Sequence, residues 1–263
     1  MKKSSKSAGQ KSFIVFGINA IDSLLDKRPE LIYELNIIGR SSNERIASIK
    51  KRTVNIGLNF IECTKDTLDK ISKQSRHQGV VARIKSPSFK NFFDLKYDLE
   101  NLNECETFLI LDSIEDSGNL GAAIRTAHAA GIKAIILTKY GSAKINEYVF
   151  KSSVGSIFNV DLYIVSSLSQ TINILKNSGF WIIGLSEKSN QIIYDYNFDK
   201  KIAIVMGSEY RGMKQLTSSN CDSILSIPMK SSIDSLNVSV ALGVVAFEVN
   251  RQRNNSEQNS LIL

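Results

Sequence analysis

Residues 107–138 read TFLILDSIEDSGNLGAAIRTAHAAGIKAIILT, and this stretch decides the fold. An apolar run, TFLIL, turns polar at Asp112 and Ser113. A helix-length segment follows, which Asn119 can cap and Gly131 closes. The chain then returns to an apolar run, KAIILT. Strands of nearly continuous apolar character flanking a helix point to a parallel sheet covered on both faces.

The same alternation continues downstream. IFNVDLYIV (157–165), GFWIIGLS (179–186), KIAIVMG (201–207) and DSILSIPM (222–229) are strand candidates, and a long helix is expected from about Val238 to Arg251. Upstream, the pattern is shorter. FGINAIDSLLDK carries Ile18, Ile21, Leu24 and Leu25 at helical spacing. LIYELNII, LNFIEC and GVVARI read as strands. SNERIASIKKR is a basic helix that Ser42 or Asn43 caps, and TKDTLDKISKQ is a helix that Thr64 caps. The segment SPSFKNFFDLKYDLENLNECE between the two blocks is a joint, and its Phe89, Phe92 and Phe93 are expected to pack it onto one of them. The division that follows is a disordered basic tail at 1–11, a small α/β domain at 12–85, a linker at 86–104, a larger α/β domain at 105–253 and a frayed end at 254–263.

Composition removes several functions. The 263 residues are 43% hydrophobic and 22% charged, as in an ordinary globular chain. No apolar run reaches the ~18 residues of a membrane span, and the first residues lack the apolar core of a secretory signal. A cytoplasmic protein is expected. Cys63, Cys105 and Cys221 form no CxxC pair, and His77 and His128 are the only histidines, so no metal site is expected. Free buried thiols are the expected state of the cysteines. The net charge of +7 suggests a polyanionic partner, although Lys2, Lys3, Lys6 and Lys11 supply more than half of it. Arg40, Arg45, Lys50, Lys51 and Arg52 form a second basic run, which reads either as a phosphate track or as a solvated helix face.

Three segments concentrate polar residues where strands end. The first, Asp112 to Ala127, holds Asn119, Gly121 and Arg125, at the strand-to-helix passage where ligands gather in parallel sheets. It also reads as a capped helix with Arg125 paired to Glu115 or Asp116. The second, Ile204 to Met213, places Gly207 and Gly212 around Glu209. Its GxxxxG spacing is that of a phosphate loop, but Met213 stands where lysine is required, which excludes a nucleotide triphosphatase. No two glycines are separated by a single residue, so a GxGxxG dinucleotide cradle is absent. The third, Ile227 to Ala241, sets Met229, Asp234, Ser235, Leu236 and Asn237 before the last helix. Plain N-capping explains one of these polar residues and leaves the others without a purpose.

Together, and in this order and spacing over about residues 107–250, the three segments resemble the signatures of the SpoU branch of the SPOUT RNA methyltransferases. Ser117 replaces the proline usual in the first of them. Phe16-Gly17-Ile18-Asn19-Ala20 and His77-Gln78-Gly79-Val80 resemble the ribosomal-protein-like RNA-binding domain of one subgroup, which methylates a guanosine of bacterial large-subunit rRNA. The resemblance implies an α/β-knot catalytic domain with a deep carboxyl-terminal trefoil knot, S-adenosyl-L-methionine as cofactor, RNA as substrate and a homodimer. It places Gly207, Ile227, Leu236 and Met229 around the cofactor. It implies Arg125 as the catalytic residue, with Asn119, Glu209, Ser235 and Asn237 beside it. A tRNA ribose methyltransferase and a non-catalytic RNA-binding assembly factor are the competing readings.

Overall fold

The computed structural model describes residues 12–102, 106–230 and 235–260. The basic tail with Lys2, Lys3, Lys6 and Lys11, together with Cys105, Asp234 and the last three residues, lies outside the described residues. The chain divides into two compact units, Met1–Ser88 with Asn146–Phe158, and Phe89–Ile145 with Asn159–Leu263.

In chain order the first unit begins with β1 (Ser12–Phe16), α1 (Ile18–Lys27), β2 (Ile32–Ile38), α2 (Glu44–Asn55), β3 (Ile61–Cys63), α3 (Lys65–Ile71) and β4 (Val80–Lys85). The second unit begins with α4 (Phe92–Leu99), β5 (Thr107–Leu111), α5 (Ser117–Ala129) and β6 (Ala134–Thr138). The chain then contributes α6 (Glu147–Ser153) to the first unit. It completes the second with β7 (Asp161–Val165), α7 (Leu168–Asn177), β8 (Trp181–Leu185), β9 (Ile202–Met206), α8 (Gln215–Ser219), β10 (Ser223–Leu225) and α9 (Val238–Ser260).

The first unit is a mixed sheet in the order β1-β4-β2-β3, parallel only between β2 and β3. Alternation in SFIVF buries Phe13 and Val15, and Phe150 of α6 packs on Phe13 with ring centroids 5.2 Å apart. The helices begin where the sequence puts their caps: Asn43 accepts from Arg45 N, and Thr64 from Thr67 N. Strand β1, which the sequence reading leaves unassigned, closes one edge of this sheet.

The second unit is a six-stranded parallel sheet, β10-β8-β9-β5-β6-β7. The chain starts in the middle at β5, moves outward through β6 to β7, and crosses to β8. Strand β9 then enters between β8 and β5, both laid down earlier in the sequence. Ligands of such sheets gather at the carboxyl ends where strand order reverses.

Three local differences from the sequence reading have simple causes. The joint contains a helix: Asn91 and Asp94 form a reciprocal capping box, and α4 buries Leu95 and Leu99 in the core of the second unit. Phe92 packs against that core, whereas Phe93 is exposed. Helix α5 starts at Ser117 because Asp116, not Asn119, is its cap, its Oδ1 accepting from Asn119 N at 2.7 Å. Helix α9 runs to Ser260 rather than ending at Arg251, since no proline or glycine follows to break its hydrogen-bond ladder.

Candidate active site

A cavity of about 700 Å³ opens at the carboxyl ends of β8, β9 and β10. Its walls come from 185–189 at the end of β8, 206–213 at the end of β9 and a set from Ile224 to Ala241, with Ser218 of α8. Gly207, Ile227, Met229 and Leu236 all line it, and so do Glu209 and Ser235.

Gly207 is required by close approach. A Cβ there would lie 2.1 Å from the carbonyl carbon of Gly212 and 2.1 Å from Met213 N, so any side chain forces the backbone apart. The loop is pinched at this point by two hydrogen bonds, Ser208 N to Gly212 O at 3.1 Å and Gly212 N to Ser208 O at 2.9 Å.

Asp112, a residue that sequence reasoning did not single out, secures the far end of that loop. Its fully buried carboxylate accepts from Lys214 N at 3.0 Å and from Ser113 Oγ at 2.9 Å. A lone acid ending an apolar strand was the available signal, because a buried carboxylate persists only where donors surround it. The 185–189 wall was also missed. It carries no chemical motif and becomes part of the site only through the pairing of β8 with β9.

Beside the cavity, three polar side chains from separate segments form one chain of hydrogen bonds. Asn119 Nδ2 donates to Glu209 Oε1. Asn237 Nδ2 donates to Asn119 Oδ1 at 3.0 Å. Asn237 also caps α9, its Oδ1 accepting from Ser239 N at 3.0 Å and Ser239 Oγ at 2.7 Å. The residue that caps α9 is therefore also the one that reaches Asn119.

Arg125 stands apart from this chain. It lies on an exposed position of α5, and its guanidinium makes no ion pair or hydrogen bond among the described residues. The pairing with Glu115 or Asp116 that the sequence allows does not form.

The chemistry open to other groups is narrow. Cys221 and Cys63 are free and half-buried rather than fully buried. Burial pushes the Cys221 thiol up to about 12 and also raises Cys63, so neither is a ready nucleophile at neutral pH. Among the described residues no His, Cys, Asp and Glu cluster could hold a metal, and no helix is long and apolar enough to cross a membrane.

In the first unit, the two motif segments meet. Gly17 N donates to Val80 O at 3.2 Å, and Gln78 Oε1 accepts from Ile18 N at 3.0 Å at the start of α1. Buried His77 bridges Asp69 Oδ1 through Nε2 and Gly79 N through Nδ1, each at 3.0 Å. Asn19 Oδ1 accepts from Arg45. The basic run is largely neutralised: Arg45 and Arg52 pair with Asp22, Arg52 also approaches Asp26, and Lys50 pairs with Glu62.

Comparisons with known proteins agree with this geometry. The pattern of the SpoU rRNA Methylase family matches residues 106–247, and that of the RNA 2'-O ribose methyltransferase substrate-binding domain matches residues 14–90. The chain is 37% identical over 239 residues to the 23S rRNA (guanosine-2'-O-)-methyltransferase RlmB of Vibrio vulnificus, covering 91% of this chain and 96% of that protein. In fold it is similar to the SpoU methyltransferase AviRb of Streptomyces viridochromogenes, solved with AdoMet, with a TM-score of 0.76, 22% identity, and coverage of 93% of this chain and 91% of the other. A TrmH/SpoU tRNA modifying enzyme of A. aeolicus matches only 64% of this chain and 87% of its own, with a TM-score of 0.53 and 26% identity. A parallel sheet with a cavity at its carboxyl edge, ordered motifs at that edge, and an identity this high over nearly the whole length lead to one conclusion: the chain belongs to the SpoU rRNA methylase family.

Proposed function

We propose that this chain transfers a methyl group from S-adenosyl-L-methionine to the ribose 2'-hydroxyl of a guanosine in 23S rRNA. The single observation that carries the reading is the convergence of Gly207, Glu209, Ile227, Met229, Ser235 and Leu236 on one cavity, with Asn119 and Asn237 hydrogen-bonded alongside. The rRNA target is favoured over tRNA because the rRNA-directed relative covers both units, whereas the tRNA-directed neighbour covers 64% of the chain. As an rRNA enzyme it works in the cytoplasm.

The residues present fit the cofactor. The cavity lies within the ~300–1,000 Å³ of small-molecule sites. Ile227, Met229 and Leu236 offer apolar walls to an adenine ring, and backbone groups near Ile227 and Leu236 can read its edge. When bound, S-adenosyl-L-methionine supplies a methyl group on a sulfonium, already a good leaving group.

The chain must then align the acceptor and ease loss of its proton. A guanidinium does not serve as a base in proteins, so Arg125 has another task. Its role is to hold an RNA phosphate and stabilise the developing alkoxide. Asn119 holds Glu209 by Oε1, leaving Oε2 to take the hydroxyl proton. The RNA phosphate is the alternative acceptor. Ser235 and Asn237 orient the ribose and the loop.

A homodimer completes the reading. Val240 and Phe247 of α9 are exposed on one stripe, with half-buried Val244 between them. A second copy covers this stripe and brings its own groups to the outlying Arg125. The trefoil knot belongs to this reading through the family match over residues 106–247.

The test is transfer of labelled methyl from S-adenosyl-L-methionine to unmodified large-subunit rRNA and, separately, to total tRNA. Label on rRNA at a position resistant to alkaline cleavage is the expected result. Label only on tRNA overturns the target. No cofactor binding favours a non-catalytic RNA-binding factor.

A further inference from the structure

Two loops of the second unit combine exposed aromatic rings with unpaired cations. After β6 the chain reads KYGSAK (139–144), and after Glu209 it reads YRGMK (210–214). Tyr210 is 99% exposed at the cavity wall and Tyr140 is 69% exposed. Lys139 Nζ lies 5.6 Å from the centre of the Tyr140 ring. The side chains of Lys139, Lys144 and Arg211 make no ion pair or hydrogen bond among the described residues. Residues 139–144 contain no acid, and Glu209 is tied to Asn119.

The loops are fastened to the same anchor. Lys214 is held by Asp112 through its backbone N at 3.0 Å. Its ammonium would lie 3.6 Å from a Cβ placed on Gly141, and Ser113 Oγ would lie 3.5 Å from that Cβ. Ala143 N donates to Ile114 O at 2.7 Å, and Thr138 Oγ1 and Ser142 Oγ share a hydrogen bond at 2.5 Å. The exposed rings therefore sit on braced turns, and their exposure leaves apolar surface uncovered without internal compensation.

We propose that loops 139–144 and 207–214 form a docking surface for a single-stranded RNA segment, with Tyr140 and Tyr210 as the platforms on which bases stack. Lys139, Lys144 and Arg211 supply the charge that follows the phosphates, while the ammonium of Lys214 pairs with Asp112 at 3.7 Å and braces the loop. Single-stranded rather than duplex RNA is the occupant because rings stack only on bases already out of a helix. The proposal rests on the RNA-directed reading above and assigns the part of the second unit that grips the strand.

The experiment uses the full-length protein, without cofactor, titrated against a fluorescein-labelled unstructured RNA oligonucleotide and read by anisotropy. Tyr140→Ala and Tyr210→Ala should each weaken binding roughly tenfold. Tyr140→Phe and Tyr210→Phe should bind as wild type, because the ring and not the hydroxyl does the stacking. Tyr140→Ala should leave the Kd for S-adenosyl-L-methionine unchanged. Wild-type affinity in both alanine variants, no binding by the wild-type protein, or equal affinity for the annealed duplex overturns the proposal. So does an alanine effect that tracks a change in oligomeric mass, which would assign the surface to a second copy. The assay needs no methyl transfer, so it stands if the catalytic reading fails. If methyl transfer is found and both alanine variants keep the wild-type KM for RNA, only the docking surface falls.

Discussion

Helix α2 of the first unit and the loops at the carboxyl edge of the second both gather positive charge, but they use it in opposite ways. Arg45, Lys50 and Arg52 face Asp22, Asp26 and Glu62 within 4 Å, and of the five residues in the basic run only Arg40 and Lys51 remain unpaired. Arg125, Lys139, Lys144 and Arg211 have no such partners among the described residues. A run of cations in sequence thus became part of a folded scaffold, while cations scattered through two loops and a helix stayed available. Density along the chain is a poor guide to availability in space.

The comparison can be broken most sharply at Arg125. Arg125→Ala should lower methyl transfer by about 10²–10³-fold. It should leave cofactor affinity intact and thermal stability nearly unmoved, since it removes an exposed, unpaired side chain. A variant that instead melts early or binds cofactor weakly would return Arg125 to a structural role.

The opposite balance is expected at His77. His77→Ala strands the buried Gly79 amide, at a cost of about 1–3 kcal/mol of unfolding free energy. Denaturant midpoints would record it. A loss of RNA affinity without loss of stability would mean that this histidine touches RNA after all.

Salt dependence sharpens the contrast between the cation sets. Neutralising Lys139 and Arg211 to Gln should each reduce the slope of log K against log salt by about one. Changing Lys50 and Arg52 to Gln should leave that slope nearly unchanged, because their charge is spent on Glu62, Asp22 and Asp26. Equal flattening by both pairs of changes would erase the distinction. The smallest effect belongs to Asp22→Asn. Removing this shared acid should cost no more than about 1 kcal/mol, as exposed ion pairs are weak. A gain in RNA affinity in that variant would show that the paired cations are recruitable.

These pairings explain what the sequence could and could not disclose. The parallel sheet was legible in runs such as TFLIL and KAIILT, because burial on both faces leaves no room for alternation. Helix starts at Asn43 and Thr64 were legible because a cap acts within three residues. Asp22 meets Arg45 and Arg52 across 23 and 30 residues, and nothing local announces such a meeting. Strand β1 and helix α4 did carry signals, in the alternation of SFIVF and the Asn91–Asp94 capping box, but the first lay in a stretch left unassigned at the start of the small domain and the second in one read as a joint. At the site, the polar cluster before the last helix suggested more than capping. The hydrogen bond from Asn237 to Asn119, 118 residues away, is its physical counterpart. The isolation of Arg125 was hidden for the converse reason, since a nearby Glu115 and Asp116 made a pairing look available.

The late entry of β9 has a consequence for the history of each molecule. During synthesis β5 and β8 both emerge before residues 202–206 exist, so the place between them stays without its native strand until then. Until β9 arrives, each of the two strands keeps one ladder edge without its native neighbour, the kind of surface on which nascent chains misassociate. Long-range parallel pairing is slow, because loop closure is paid before the contacts return anything. Maturation of this protein should therefore be limited by the filling of one slot by five residues, and those same five residues lead directly into the loop that begins at Gly207.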